Sequence, residues 1–569
     1  MKAFDSFRFW ITPLSPLHIG TGESYQPTNY VIEDGTLYEF DTGSVMGALT
    51  AKDRERLLAI ANSRPDTEML KALQKFFFER RETLLPWAVH RIPVLHGVAR
   101  FYGDRVGQTA NLEESGKQVI NRLEIDRTGF NPATCRPVLF GSSVKGAIRT
   151  ALLDGENEGN RLQTVEDRRT GRVRKEYNLD FQQRLFQYRA GRFEQDPLRL
   201  IQLSDALWQG EESLPASEVF LAVNRKKVPV VDRGGRMRQS QAETKQLYQI
   251  LECVSAWRYR AFAGQVNIQN VSGTPEENRR GDRQLPSAAL QFGITEVARA
   301  CNDFYRTVLD REMGVLRERG YIDSGWDDSL KKVLAAAREK MERGEAFLLR
   351  VGRHSGAEAV TVRGARDGNI RIMEGKDPTT GKQRFSYGDA AKTLWLAASE
   401  SDQRSGLLPF GWCLVELAPL DGTEQKVEAI ETACEPYLVA VRRWSTSLTE
   451  RSVELGTLRA EAERKRQEEE ALAREQAARA AAEAERLAAM SAEQQRIEHL
   501  RGQLERKRTG NVREQIGGAL YGELQALVKE AASWTQQDKA ALQLVGKEIL
   551  VYIGAKDNKK AKELLRQLG

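Results

Sequence analysis

The sequence predicts an α+β protein followed by an all-helical extension. Three observations carry this. Strand-like and helical runs interleave over residues 1–424 without the even βαβ spacing of a parallel sheet. Residues 457–507 are almost purely Ala, Glu, Arg, Gln and Lys, which are mostly strong helix formers. Residues 510–569 regain Leu, Val, Ile and Tyr at helical spacing.

Along the first region, FRFWITPL (7–14) is aromatic and β-branched and stops at proline, which predicts a strand. NYVIEDGTLYEFD (29–41) predicts a hairpin, because Asp-Gly suits a tight primed turn. DTEMLKALQKFFFERRETLL (66–85) has helical periodicity. SSVKGAIRTALLDG (142–155) predicts a helix that begins at a serine cap and ends at glycine. AETKQLYQILECVSAWRYRAF (242–262) predicts another helix, and GEAFLLRVG, AVTVRG and GWCLVEL (344–352, 359–364, 411–417) predict strands. VEAIETACEPYLVAVRRW (427–444) marks an amphipathic helical connector over 425–456, with a proline inside it.

The 457–507 segment predicts one long charged helix of roughly 75 Å, exposed and laced with opposite charges three and four apart. Of its large apolar residues only Ile497, Leu500 and Leu504 keep a tight rhythm, so a lone helix or a short coiled coil both fit. In the tail, Leu520, Leu524, Leu527, Val528, Leu542, Leu544, Val545, Ile549, Leu550 and Ile553 suit a small helical hairpin.

Charged residues make up 29%, above the usual quarter, so part of the chain is heavily solvated; the net charge of +6 permits nucleic acid without demanding it. Cys135, Cys253, Cys301, Cys413 and Cys434 are scattered and odd in number, which points to a reducing cytoplasm and against disulfides or zinc. His18, His90, His96, His354 and His499 also lack metal-ligand spacing, so neither metal nor cofactor is expected. No apolar run is long enough to span a membrane, and MKAFDSFRFW does not read as a signal peptide.

Four segments bear on function. Ser15–Glu23 ends a strand in a proline turn and a Gly-x-Gly, with His18, Gly20 and Gly22 as candidates for close approach to a phosphate; a plain turn explains it too. Leu139–Arg149 has the form strand, Gly-Ser-Ser turn, helix start. Gly141, Ser142, Ser143 and Gly146 would line an anion site at a helix N-terminus, with Lys145 and Arg149 on one face; a capped helix with two solvated cations is the plainer alternative. Phe347–Gly356 carries Arg350, Arg353 and His354 around a glycine-flanked turn, and arginine forks suit phosphate. LPFGW (408–412) is structural in character.

In this order, LSPLHIGTGE, a hairpin ending in YEFD, LFGSSVKGAIRTALL, FLLRVGRHSG and LPFGW resemble the RAMP superfamily, closest to the fifth subunit of the type III-A CRISPR effector, the Csm complex. PLRLIQLSDALW resembles the RAMP strand that carries an Asp, here Asp205. The resemblance covers about residues 7–420. It implies RRM-like, ferredoxin-like modules and RNA contact by Gly141, Ser142, Ser143, Lys145 and Gly146, and also by Arg350, Arg353 and His354. It implies CRISPR RNA and neighbouring RAMP backbone subunits as partners, a place near the RNA 3′ end, and recruitment of host nucleases. The helical extension and the 155–200 insertion depart from the family pattern. The alternative is a RAMP endoribonuclease with His18 as general base, or, by resemblance to the target-cleaving RAMPs that use a loop Asp, with Asp41 or Asp205 in that place.

Overall fold

A computed structural model describes residues 3–569 except 113–117, 121–122, 167–170, 177, 233, 241–242, 244–246, 272–284 and 423–424. The chain divides into two compact units, residues 1–459 and 460–569.

The first unit is α+β. Its first strand, Phe4–Pro13, lies in the middle of a seven-stranded sheet, between Phe262–Gln269 and Trp412–Pro419. Residues 9–13 are buried without alternation, as a central strand covered on both faces must be. Beyond these run Ala346–Arg350 at one edge and Ile201–Leu203, Ala206–Trp208 and Val138–Leu139 on the other side, all paired antiparallel. Helices Gly141–Asn157, Ile294–Glu318 and Ser324–Arg343 pack on this sheet through Val144, Ile148, Val297, Phe304 and Leu330.

A second sheet runs in the order Gly20–Tyr25, Ile125–Thr128, Tyr248–Val254, Ser217–Lys226 and Thr393–Ala398. A third has three strands, Tyr30–Glu33, Thr36–Glu39 and His90–Pro93. Asp34 and Gly35 both take positive φ at its first turn, which is why Asp-Gly stands there.

Two expectations for the strands and helices of residues 1–424 fail. The helix expected over 242–262 lies partly outside the described residues, and the rest is strand, Tyr248–Val254, then a turn with positive φ at Trp257 and Arg260. Ile250 and Val254 enter one core and Leu251 and Cys253 another, so both faces are buried and the apolar run loses its period-two signal. AVTVRG is not a strand either. Its Ala359 closes a 3₁₀ turn, Ala357–Ala359, and the rest is an irregular loop in which Arg363 N–H and Nε both donate to Asp154 at 2.7 Å.

The connector is packed, not free. Helix Glu428–Ala488 is continuous through Pro436. Ile430 and Cys434 enter the main core, Tyr437 stacks on Trp257 at 5.3 Å, and Trp444 Nε1 donates to Thr36 Oγ1 at 3.1 Å. Leu455 is buried with Val31, Tyr38, Phe76 and Leu84.

In the second unit, residues 460–488 are almost all exposed and carry pairs such as Arg479–Glu475 and Arg486–Glu483. The helix stops at Ala488, and Ser491 caps Ala492–Thr509 with Gln494 answering as a capping box. The 457–507 stretch is therefore two helices. Ile497, Leu500 and Leu504 form no coiled-coil seam: they share one core with helices Ala519–Glu530, Gln536–Tyr552 and Lys559–Arg566. Nine of the ten apolar tail residues expected to pack do so; Leu544 faces solvent.

Candidate nucleic-acid interface

Three of the four segments meet. Gly411 N–H donates to the Pro16 carbonyl at 3.0 Å, and Val351 N–H to the Gly411 carbonyl at 2.9 Å. Arg353 N–H donates to the His18 carbonyl at 2.8 Å, and Trp412 N–H to Ser15 Oγ at 2.8 Å. Gly352, at φ +85°, lies so close to the His18 carbonyl that a Cβ there would collide with it. Gly129 joins the remaining segment to this cluster. Its N–H donates to the Ile19 carbonyl at 2.7 Å, its carbonyl accepts from Val138 at 2.8 Å, and the Phe140 ring lies against it.

Most of the polar groups in this cluster serve the interior. His18 is fully buried; Nδ1 donates to the Glu252 carbonyl at 2.8 Å, leaving Nε2 unprotonated and without a partner. Burial lowers its pKa against the raising effect of that hydrogen bond, so the ring is neutral. It does not reach the surface, and a general-base role on RNA is not open to it in this structure. Arg350 is buried as well: it pairs with Glu312 at 2.7 Å and donates to the Phe410 carbonyl at 3.0 Å, while Glu312 also accepts from Trp412 Nε1 at 2.8 Å. The implied RNA contact by Arg350 is thus replaced by a satisfied interior ion pair. His354, at φ +64°, stacks on Trp395 at 4.8 Å and bonds Gln249 at 3.1 Å. Burial, then the nearby Arg353 charge, push its pKa down to about 3.

Arg353 is the arginine of this motif that reaches the surface, pairing there with Asp126. Beside it, the edge strand of the second sheet pairs Ser24 with Asp126, and a bulge between Gly20 and Ser24 leaves Gly20, Thr21, Gly22 and Glu23 exposed.

The helix at Gly141 starts without its predicted serine cap. Gly141 N–H donates to Asp205 Oδ1 at 2.7 Å, so the RAMP-like aspartate, between strands Ile201–Leu203 and Ala206–Trp208, clamps the helix N-terminus. A Cβ at 141 would sit 2.7 Å from the Ser204 carbonyl, which requires glycine. Arg149 pairs with Asp196 and bonds Gln182 at 3.2 Å, so it is committed locally. Lys145 is half-buried, with no hydrogen bond or ion pair among the described residues. Burial, then Arg149, lower its pKa. Ser142 and Gly146 are exposed beside it, and Ser143 is half-buried.

Asp41 caps helix Thr42–Ala48, accepting from Ser44 N–H at 2.6 Å. Sequence reasoning missed Glu252, Glu312, Asp126 and Trp395, which meet these segments only through the fold and leave no local signal. Among the described residues there is no cluster of three or more metal-ligating side chains, and no helix long and apolar enough to cross a membrane. All five cysteines are free.

The model of one protein family, the RAMP superfamily, matches residues 10–352, more than half of the chain. The chain belongs to the RAMP superfamily. The matched RAMP region holds the Gly20 and Gly141 segments whole and ends at Gly352, inside the third. No curated protein matches. Among solved structures, a chain of a Csm–crRNA–target RNA ternary complex from a type III-A CRISPR-Cas system is similar, with a TM-score of 0.41 and 16% identity over 72% of this chain and 100% of that one. Csm5 of T. onnurineus is similar at a TM-score of 0.35 and 15% identity, over 71% of this chain and 99% of that one.

Proposed function

We propose that this RAMP chain is an RNA-binding subunit of a type III CRISPR ribonucleoprotein that serves antiviral defence. In this reading it caps the backbone near the 3′ end of the CRISPR RNA, contacts neighbouring RAMP subunits, and supports 3′-end maturation by nucleases recruited from the host. One observation carries the RNA-binding part. The buried network around His18, Glu312 and Gly352 fixes a rigid base, and what it leaves outside is an exposed glycine strip at 20–22, Arg353, and the uncommitted Lys145 beside Gly146. Exposed backbone N–H groups and separated cations suit a phosphate chain. The enclosed His18, which does not reach the surface, favours binding over cleavage.

The test is RNA binding by the full chain across a salt series. Lys145→Ala should weaken binding to all sequences alike and reduce the magnitude of the log–log salt slope by about 0.7. Unchanged affinity at every salt concentration would overturn the phosphate role. For the 3′-end role, CRISPR RNA recovered from effector assembled with and without this chain is sequenced at its 3′ ends; identical ends would remove that part of the reading.

A further inference from the structure

Residues 370–388 form a two-stranded antiparallel ribbon, Ile370–Lys376 against Gln383–Gly388. Its turn is closed by its own chain: Asp377 N–H donates to the Lys382 carbonyl at 2.8 Å, and the Asp377 carboxylate accepts from Thr379 and Thr380 N–H at 3.0 and 2.8 Å. Opposed residues share a face, so Arg371 with Tyr387 and Met373 with Phe385 stand on one side, and Ile370 with Gly388 and Ile372 with Ser386 on the other. The second side is the covered one, with Ile370 buried.

An outward ribbon face is ordinarily polar. Here it carries Met373, Tyr387 and Phe385, exposed at 71%, 64% and 40%, and the Arg371 guanidinium lies 3.5 Å over the Phe385 ring. Lys376 and Lys382 stand exposed near the turn and make no ion pair among the described residues. Flat rings with a stacked guanidinium, flanked by uncommitted lysines, match unpaired bases and their phosphates. A protein-docking face would instead be depleted of lysine.

We propose that this ribbon is a stacking platform for unpaired RNA bases, with Tyr387 and the Arg371–Phe385 pair holding bases and Lys376 and Lys382 the adjoining phosphates. The proposal rests on the RNA-binding reading but concerns a separate surface, formed by residues beyond the 10–352 match. It is tested in the full chain with the double variant Phe385→Ser, Tyr387→Ser and the conservative Tyr387→Phe, using single-stranded RNA, the same RNA with abasic sites, and 4-thiouridine photocrosslinking. The double Ser variant should lose about tenfold in affinity, and Tyr387→Phe should bind as wild type. Abasic RNA should bind wild type about as weakly as intact RNA binds the double variant, and crosslinks should fall on residues 385–392. If wild type binds RNA while the double variant binds equally well and crosslinks lie elsewhere, the ribbon assignment is wrong and the functional reading stands. If RNA binding is unchanged but association with another effector subunit is lost, the face docks protein and the proposal fails. If wild type binds no RNA at all, the functional reading falls first.

Discussion

The turn at Arg350–His354 and the helix start at Gly141–Arg149 share a sequence character, glycines beside cations, yet their cations are held by different partners. At the first, Arg350 is absorbed into the interior, His354 is half-buried against Trp395, and Arg353 is left at the surface. At the second, Arg149 is tied to Asp196 while Lys145 remains uncommitted. Within each segment the same residue types divide into structural fasteners, Arg350 and Arg149, and candidate RNA contacts, Arg353 and Lys145. What separates Arg350 from Lys145 is a partner supplied from far along the chain: Glu312 for Arg350 and, among the described residues, none for Lys145.

The strongest way to break this contrast is Arg350→Ala. Removing one member of a buried pair leaves the Glu312 carboxylate without its cation, so stability should fall by about 3–5 kcal/mol in chemical denaturation. A loss below about 1 kcal/mol would mean that the pair is solvated and the two regions are alike.

Acid sharpens it next. The folded pKa of His354 is depressed to about 3, against roughly 6.5 in an unfolded chain. The stabilising contribution is therefore present above pH 6.5 and is lost as pH falls toward 3. Between pH 7.5 and 5.5 it should cost about 1.4 kcal/mol, and His354→Gln should lose less stability than wild type over that interval. Equal losses would show that the ring is not held neutral.

At the surface, Arg353→Ala should change stability by less than about 1 kcal/mol, because its pair with Asp126 is more than a third exposed on both sides. A larger loss in thermal denaturation would place Arg353 with Arg350 among the interior fasteners. The smallest effect concerns chemistry. Labelled repeat RNA incubated with the pure chain should stay intact, and cleavage abolished by His18→Ala would restore the endonuclease alternative.

The long helix repeats the lesson at larger scale. Residues 428–459 and 460–488 belong to one helix, yet the first part buries Ile430, Cys434 and Leu455 in the body and the second carries surface ion pairs. Propensity predicts helix for both and cannot say which part has something to pack against.

The sequence by itself determined the α+β class, the first strand, the Asp-Gly hairpin, the helix at 142–155 and the helical character of everything after 427, because each rests on local periodicity, turn chemistry or composition. It also singled out Gly141, but as an RNA contact; the close approach of the Ser204 carbonyl that requires glycine there came only with the fold. Tertiary structure alone decided that 248–254 is a strand, because burial on both faces erases the alternation that identifies one. It alone sent Ile497, Leu500 and Leu504 into the tail core, since a short apolar rhythm fits any helical partner. And it alone sorted the arginines, since Glu312 holds Arg350 in the interior while Asp126 pairs with Arg353 at the surface, and neither carboxylate lies near its partner in sequence.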